Sequence, residues 1–334
     1  MSASLIEKKH YSSIARFLSS TAWNDAAVYH QYLSKIRHLF ARQRVTLIID
    51  DSLSKKTGKH LFGVQFHKNH CGNGYVFGHQ VVTALLRTKE VLLPLIPRLY
   101  HKESMSKIQL AKEQIFLALQ HVKVREVIID SWYMAAELIN LCTSKGIAII
   151  GCLKSNRSIC LHHRWIGVRD YFRRVQRNTM TLVIVNDEKY RYHEVLVSLK
   201  GVGLVKLVIV QQWRNNRWSR AFYLVSTDTR RSAEGIITTY TQRWDIEVFH
   251  RDIKQHLGLE SCSARREKSI IRHLMLVTFA HASLKLWMYW EHFEGTLGDA
   301  VRMLQHQNLA QILDNIVETE ALSERQKMAA ALLS

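Results

Sequence analysis

Two short runs constrain the fold of this 334-residue chain more than any other feature: Val45-Thr46-Leu47-Ile48-Ile49 and Val124-Arg125-Glu126-Val127-Ile128-Ile129. Each is rich in β-branched side chains, too short for a buried helix, and followed at once by an aspartate, Asp50 or Asp130. Apolar strands without alternation are covered on both faces, so helices must lie on both sides of the sheet that holds them. Residues 12–44 read as helical, with Ile14, Phe17 and Leu18, then Tyr29, Leu33, Ile36 and Phe40 recurring at three- and four-residue steps. His60–His67 and Tyr75–Leu86 read as strands around the turn Cys71-Gly72-Asn73-Gly74. Ser104 opens a predicted helix. Another covers Met134–Cys142, stops at Gly146 and precedes a strand at Ile147–Leu153.

From Asn178 to Thr227 the pattern becomes antiparallel, strands alternating with turns at Asn186-Asp187, Gly201-Val202-Gly203 and Asn215-Asn216. Helix returns at Ser232, a suitable N-cap, and runs to Leu257. It resumes over His273–Trp290, and one or two acidic amphipathic helices fill residues 296–333. The expected class is α/β: a mixed sheet flanked by helices, with a β-rich insertion and helical extensions at both ends. The expected divisions are 1–44, a helical segment and reduced DNA-binding region; 45–153, the first part of a catalytic core; 154–231, a basic β-rich insertion; 232–290, the second part of the core; and 291–334, an acidic helical tail.

Charge narrows the function. The chain carries +19, and residues 154–231 alone contribute 16 − 5 = +11. Lysine and arginine concentrated in this way displace counterions from a phosphate polymer, so nucleic acid is the expected partner. No apolar run reaches the roughly 18 residues of a membrane span, and Met1–His10 lacks the apolar stretch of a signal peptide. Five cysteines with no C-x-x-C pair argue against a disulfide framework or zinc ribbon. A cytoplasmic protein without a membrane partner, associated with the nucleoid when on DNA, is expected.

Strands ending side by side would bring Asp50 and Asp130 together, and two like charges that close need compensation. A divalent cation supplies it, and a pair of such ions can activate the attacking oxygen and neutralise the leaving one at a phosphodiester. Alternatively, each aspartate caps the turn that follows its strand. The segment Tyr240–Lys254 adds a more specific signal. At about 100° per residue, Tyr240, Arg243, Glu247, Arg251 and Lys254 fall within an arc of roughly 80°, beside the apolar face of Ile246, Phe249, Ile253 and Leu257. One acid among three cations and a phenol suits a metal ligand flanked by phosphate contacts; an ordinary i,i+4 pair between Arg243 and Glu247 is the simpler alternative.

Tyr240, Arg243, Glu247 and Lys254, within "YTQRWDIEVFH" and the residues after it, resemble the Y-R-E-K motif of bacterial insertion-sequence transposases, the IS-four group of the DDE superfamily. The resemblance covers about Val45–Lys285. It implies an RNase H-like catalytic domain in which Asp50, Asp130 and Glu247 hold two Mg²⁺ ions, with Mn²⁺ as a substitute. It also implies that Tyr240, Arg243 and Lys254 contact phosphates near the cut, and Arg251 on the same stripe joins them. Asp51 is the alternative to Asp50, although Asp50-Asp51-Ser52 fits the family's pattern of Asp, any residue, then Ser or Thr. The implied function is cleavage at transposon ends followed by strand transfer into target DNA, in a complex expected to contain a homodimer on double-stranded DNA. The rival readings are an inactive DNA-binding remnant and an RNase H-like nuclease without strand transfer.

Weaker candidates remain. Lys55, Lys56 and Lys59 either grip phosphate or mark a solvated hairpin tip. Trp213, Trp218 and Phe222, interleaved with Arg214, Arg217 and Arg220, either stack on an unpaired base or pack a strand. His67, His70, Cys71 and His79 have zinc-like chemistry without paired spacing. Leu304, Ile312, Leu313 and Ile316 serve self-association or close the core.

Overall fold

The computed structural model describes residues 11–68 and 72–308. The helices are α1 (Tyr11–Ser19), α2 (Asp25–Leu39), α3 (Lys107–His121), α4 (Ala136–Ser144), α5 (Val168–Arg174), α6 (Ala233–Thr241), α7 (Trp244–Gln255) and α8 (Glu267–Trp290). The strands begin with β1 (Arg44–Lys55), β2 (Gln65–Lys68), β3 (Tyr75–Arg87), β4 (Leu92–Pro94), β5 (Arg98–Tyr100), β6 (Lys123–Ile129) and β7 (Ala148–Leu153). They continue with β8 (Ser158–Leu161), β9 (Arg164–Gly167), β10 (Thr181–Val185), β11 (Glu188–Leu199), β12 (Gly203–Arg214), β13 (Arg217–Trp218) and β14 (Phe222–Ser226). Residues 297–308 are helical, while Ile312, Leu313 and Ile316 lie outside the described residues.

The strands form one mixed sheet in the order β2-β3-β1-β6-β7-β14-β12-β11-β8-β9. β1, β6 and β7 pair in parallel, and β3 runs antiparallel to β1. The expected α/β class, a mixed sheet flanked by helices, is what the chain adopts. Period-two alternation then sorts the side chains of β1 and β6. Leu47, Ile49, Val127 and Ile129 enter the core that holds Ile115 of α3 and Leu138 of α4. Ile48 and Ile128 enter the opposite core with Ile246, Phe249 and Ile253 of α7 and Leu274 of α8. Asp50 and Asp130, two residues further on, therefore belong to the α7 face.

The basic segment extends this sheet. β14 pairs antiparallel with β7, Tyr223 opposite Leu153, and β12 and β11 continue outward. The hairpins turn where asparagine permits left-handed backbone: Asn186-Asp187 at φ 49° and 62°, and Asn215-Asn216 at 49° and 58°. The β8–β9 hairpin uses the same geometry at His162-His163, φ 47° and 60°, a pair the turn rules do not single out.

Four boundaries differ from expectation. β1 continues past Asp50 to Lys55, because the long β3 keeps pairing with it from Asp50 opposite Thr83 to Lys55 opposite Gly78. The strand expected over His60–His67 is confined to Gln65–Lys68, the chain turning at Gly63 with φ 73°. α3 is capped by Ser106 rather than opened by Ser104, through a capping box with Gln109. The helix expected from Ser232 to Leu257 is two helices: at Gln242 and Arg243 the bonds shorten to three residues, Asp245 N to Gln242 O and Ile246 N to Arg243 O. Among the described residues no helix is long and apolar enough to cross a membrane.

Candidate active site at the strand ends

Parallel pairing sets Ile49 opposite Ile129, so the next residues, Asp50 and Asp130, stand side by side where the two strands emerge. Both carboxyl groups are partly withdrawn from water. Burial, then Asp130, then Asp51 push the Asp50 carboxyl up to about 7. Asp130 is raised as well, chiefly by burial, against backbone hydrogen bonds that favour its charged form. Those bonds come from Trp132 N and Tyr133 N to Oδ1, at 2.8 and 3.2 Å. The turn-capping role therefore holds for one oxygen of Asp130, and among the described residues no hydrogen bond is made to the other.

The third acid arrives on α7. Arg243 stands at the α6–α7 junction, and its Nη1 donates to Asp50 Oδ2 and to Glu247 Oε1, each at 3.1 Å. The i,i+4 pair is real, but it is not confined to the helix surface, because the same nitrogen also reaches the strand. Asp50 and Glu247 thus lie within about 6 Å of each other, twice that distance. Across the strand, Asp51 points to the α3 side, where Tyr133 Oη donates to Oδ1 at 2.9 Å and Lys107 Nζ binds Oδ2 at 2.9 Å beside Gln80 Nε2. Alternation has separated the doubled aspartate into one acid for each face.

With this geometry in place, comparison with known proteins is informative. Residues 8–289 match the family described as "Archaeal putative transposase ISC1217". The chain belongs to this transposase family. No curated protein matches it. A solved cryo-EM structure, piggyBac transposase in a synaptic complex with hairpin DNA, aligns at 12% identity and a TM-score of 0.43. That alignment covers 93% of this chain and 62% of the other, so the chain spans about three fifths of that protein's length.

The residues of this transposase family member fit a hard cation in part. Two raised carboxyl groups with an open oxygen suit Mg²⁺, which takes a few hard oxygens plus water. Among the described residues no three acids, histidines or cysteines are yet gathered tightly enough to hold an ion. Glu247, its side chain 42% exposed, is paired with Arg243. Arg243 supplies the positive charge between the first and third acids.

The remaining candidates divide. Tyr240, at the end of α6, lies with its ring centre 6.0 Å from the Arg243 guanidinium. Arg251 is exposed beside Asp252. Lys254 donates to Leu53 O at 2.9 Å, so it reaches the acid-bearing strand but is committed to its backbone. Lys55 and Lys59 are exposed, whereas Lys56 is buried and straps β1 to the carbonyls of Glu260 and Cys262 at 2.7 and 2.9 Å. The expected phosphate contact at Lys56 is corrected accordingly: its ammonium is consumed inside the protein. Trp218 packs edge-on against Trp213 at 5.1 Å under the Arg191 guanidinium, and Phe222 packs against the core of Val208, Leu224 and Ile236. Of the zinc-like set, His79 bonds Phe62 O at 2.7 Å and His67 is buried, its imidazole pushed down to about 4 by burial, while His70 and Cys71 lie outside the described residues.

Several neighbours of the acids escaped sequence reasoning. Trp132, 38% exposed, follows Asp130 with the Lys107 ammonium 4.7 Å from its ring centre. Trp244, 65% exposed, follows Arg243. Trp244 adjoins Arg243 and Trp132 lies two residues beyond Asp130, so closeness in sequence to a candidate site residue was the available signal for both. Thr83 and His250 carried none, since the pairing of β3 with β1 sets Thr83 opposite Asp50 and the packing of α7 brings His250 to Thr83.

Proposed function

We propose that this chain cleaves DNA at the ends of a mobile element and joins the freed ends to target DNA, with Asp50, Asp130 and Glu247 as its divalent-cation ligands. The observation that carries the reading is the close placement of Asp50 and Asp130 on adjacent parallel strands, with Arg243 bridging Asp50 to Glu247. A carboxyl group buried, and set beside a second one, so that it is raised to about 7 is a poor arrangement for stability alone. In this reading Tyr240, Arg243, Glu247 and Lys254 form the Y-R-E-K set of the IS-four type.

Two Mg²⁺ ions, or Mn²⁺ in their place, would supply Lewis acidity and charge neutralisation at the phosphorus. The protein's own part is orientation and phosphate binding. Arg243 is the group best placed to leave the carboxylates for a phosphate, since guanidinium matches that geometry in a bidentate fork. Tyr240, Arg251 and exposed Lys55 offer further donors around it. In the first step a water oxygen attacks phosphorus, the P–O3′ bond breaks, and the element keeps a 3′-hydroxyl. In the second, that hydroxyl oxygen attacks phosphorus in target DNA and a target 3′-oxygen leaves. Each attacking oxygen loses a proton and each leaving oxygen gains one. Two ends and one target call for two copies of the chain on DNA.

A nicking assay with candidate end DNA tests the cleavage half. Wild type should nick in Mg²⁺ or Mn²⁺ and Asp130→Asn should lose at least a hundredfold; equal rates in the two proteins would remove the acids from the chemistry. Pre-cut ends supplied with a target plasmid test the joining half, and a protein that cuts but never joins is a nuclease.

A further inference from the structure

α7 carries Glu247 as its fourth residue, and two of its neighbours on the chain, Arg243 and His250, reach back to Asp50, one to its carboxylate and one through Thr83 to its carbonyl. Four residues earlier, Arg243 holds the Asp50 carboxylate. Three residues later, the imidazole Nε2 of His250 lies 2.7 Å from Thr83 Oγ1, and Thr83 Oγ1 lies 3.0 Å from the carbonyl oxygen of Asp50 itself. Thr83 is also the cross-strand partner of Asp50 on β3.

Hydrogen-bond chemistry orders this chain. A carbonyl oxygen only accepts, so the Thr83 hydroxyl must donate to it, and its oxygen is left to accept from His250. His250 is therefore the Nε2–H tautomer. Its ring is buried and pushed down to about 3 by that burial, which favours the neutral form. Thr83 is fully buried and His250 is 6% exposed, so water cannot replace either bond. Satisfied buried polar chains fix geometry more sharply than apolar packing does.

We propose that His250 and Thr83 are positioning residues which lock α7 to β1 and so set the distance between the first and third acids. This rests on the reading of Asp50, Asp130 and Glu247 as metal ligands given above. The Arg243 contact cannot do this work during the reaction, because it must open for the cation. The His250–Thr83–Asp50 chain touches only backbone on the Asp50 side and persists when Arg243 moves. Glu247 would then swing only its side chain, on a helix already registered against the strand.

The test is Mn²⁺ binding followed by electron paramagnetic resonance on the full chain without DNA, for wild type and four variants. Thr83→Ser keeps the hydroxyl and should bind within about threefold of wild type. Thr83→Val and His250→Leu should each bind at least tenfold more weakly. Thr83→Val strands the buried Nε2–H of His250, so the double variant Thr83→Val/His250→Leu is the decisive one: with imidazole and hydroxyl both replaced by apolar groups it is expected to melt above Thr83→Val alone yet still bind at least tenfold more weakly than wild type. Loss in Thr83→Val without retention in Thr83→Ser, or a stable double variant with wild-type affinity, would overturn the positioning role while leaving the acids as ligands. A wild-type protein that binds no Mn²⁺ at millimolar concentration would overturn both this inference and the reading beneath it.

Discussion

Asp50 and Asp51 show how far one residue of register separates two chemistries. Asp51 is tied to Lys107, Tyr133 and Gln80, and Asp50 shares an unfavourable neighbourhood with Asp130. A group whose folded pKa is raised stabilises the protein below its unfolded value and loses that contribution as pH climbs through the folded value. For Asp50 the window runs from the ordinary carboxylate range up to about 7. Without divalent cations, Asp50→Asn should therefore be more stable than wild type at pH 8, by on the order of 4 kcal/mol, and the gap should close by pH 4. Denaturant melts at the two pH values measure it; a gap that widens on acidification would show that the carboxyl is not raised. Lys56 tests the opposite case, a cation that looked functional and is structural. Lys56→Met should cost about 1–3 kcal/mol in a urea melt, because the Glu260 and Cys262 carbonyls lose their donor. DNA affinity in the folded variant should keep the wild-type salt dependence.

At the level of elements, the break between α6 and α7 matters most, since it aims Arg243 at the strand end. α6 is anchored far from the acids. Arg231, just before its Ser232 N-cap, binds both Glu126 on β6 and Thr239 near the helix end. Glu126 is fully buried, on the same strand face as Asp130, and is held in its charged form by Arg231, Arg125 and Thr46. Arg231→Leu should cost about 3 kcal/mol by leaving that carboxylate short of a partner, and Glu126→Gln in the same chain should recover most of it. Thermal melts of the single and double variants measure the coupling; a simple sum of independent losses would refute it. This break also limits what helical periodicity could tell. The stripe from Tyr240 to Lys254 assumes one continuous helix, yet Tyr240 lies on α6 and Glu247 on α7. The grouping of Arg243 with Glu247 survived because both lie on the α7 side of the junction. Tyr240 also stays near Arg243, but because the chain turns there.

Across the whole molecule, the sheet runs without interruption from the parallel core into the basic insertion. A cavity of about 980 Å³ on that insertion has Arg164, Trp165, Tyr171, Arg174 and His193 in its walls and no acid among them. If this face carries DNA backbone, Arg164→Ala/Arg174→Ala should flatten the dependence of log K on log salt by roughly 1 to 2, at about 0.9 per phosphate contact. Filter binding across a salt series reads the slope. An unchanged slope would move the DNA path away from the insertion.

The apolar runs before Asp50 and Asp130, with their β-branched residues and their lengths, determined strands buried on both sides, and so helices on both faces of the sheet. Local chemistry likewise determined the asparagine hairpins and the Ser232 cap, because a turn or a cap depends on residues a few positions apart. The placement of the two aspartates side by side needed only one further fact, that the strands pair in register. Tertiary structure alone decided which aspartate of the pair faces α7, that Lys56 is buried, and that His250 reaches Asp50 through Thr83. Those outcomes depend on contacts between residues up to about two hundred positions apart, and neither periodicity nor composition encodes the partner of a side chain across that distance.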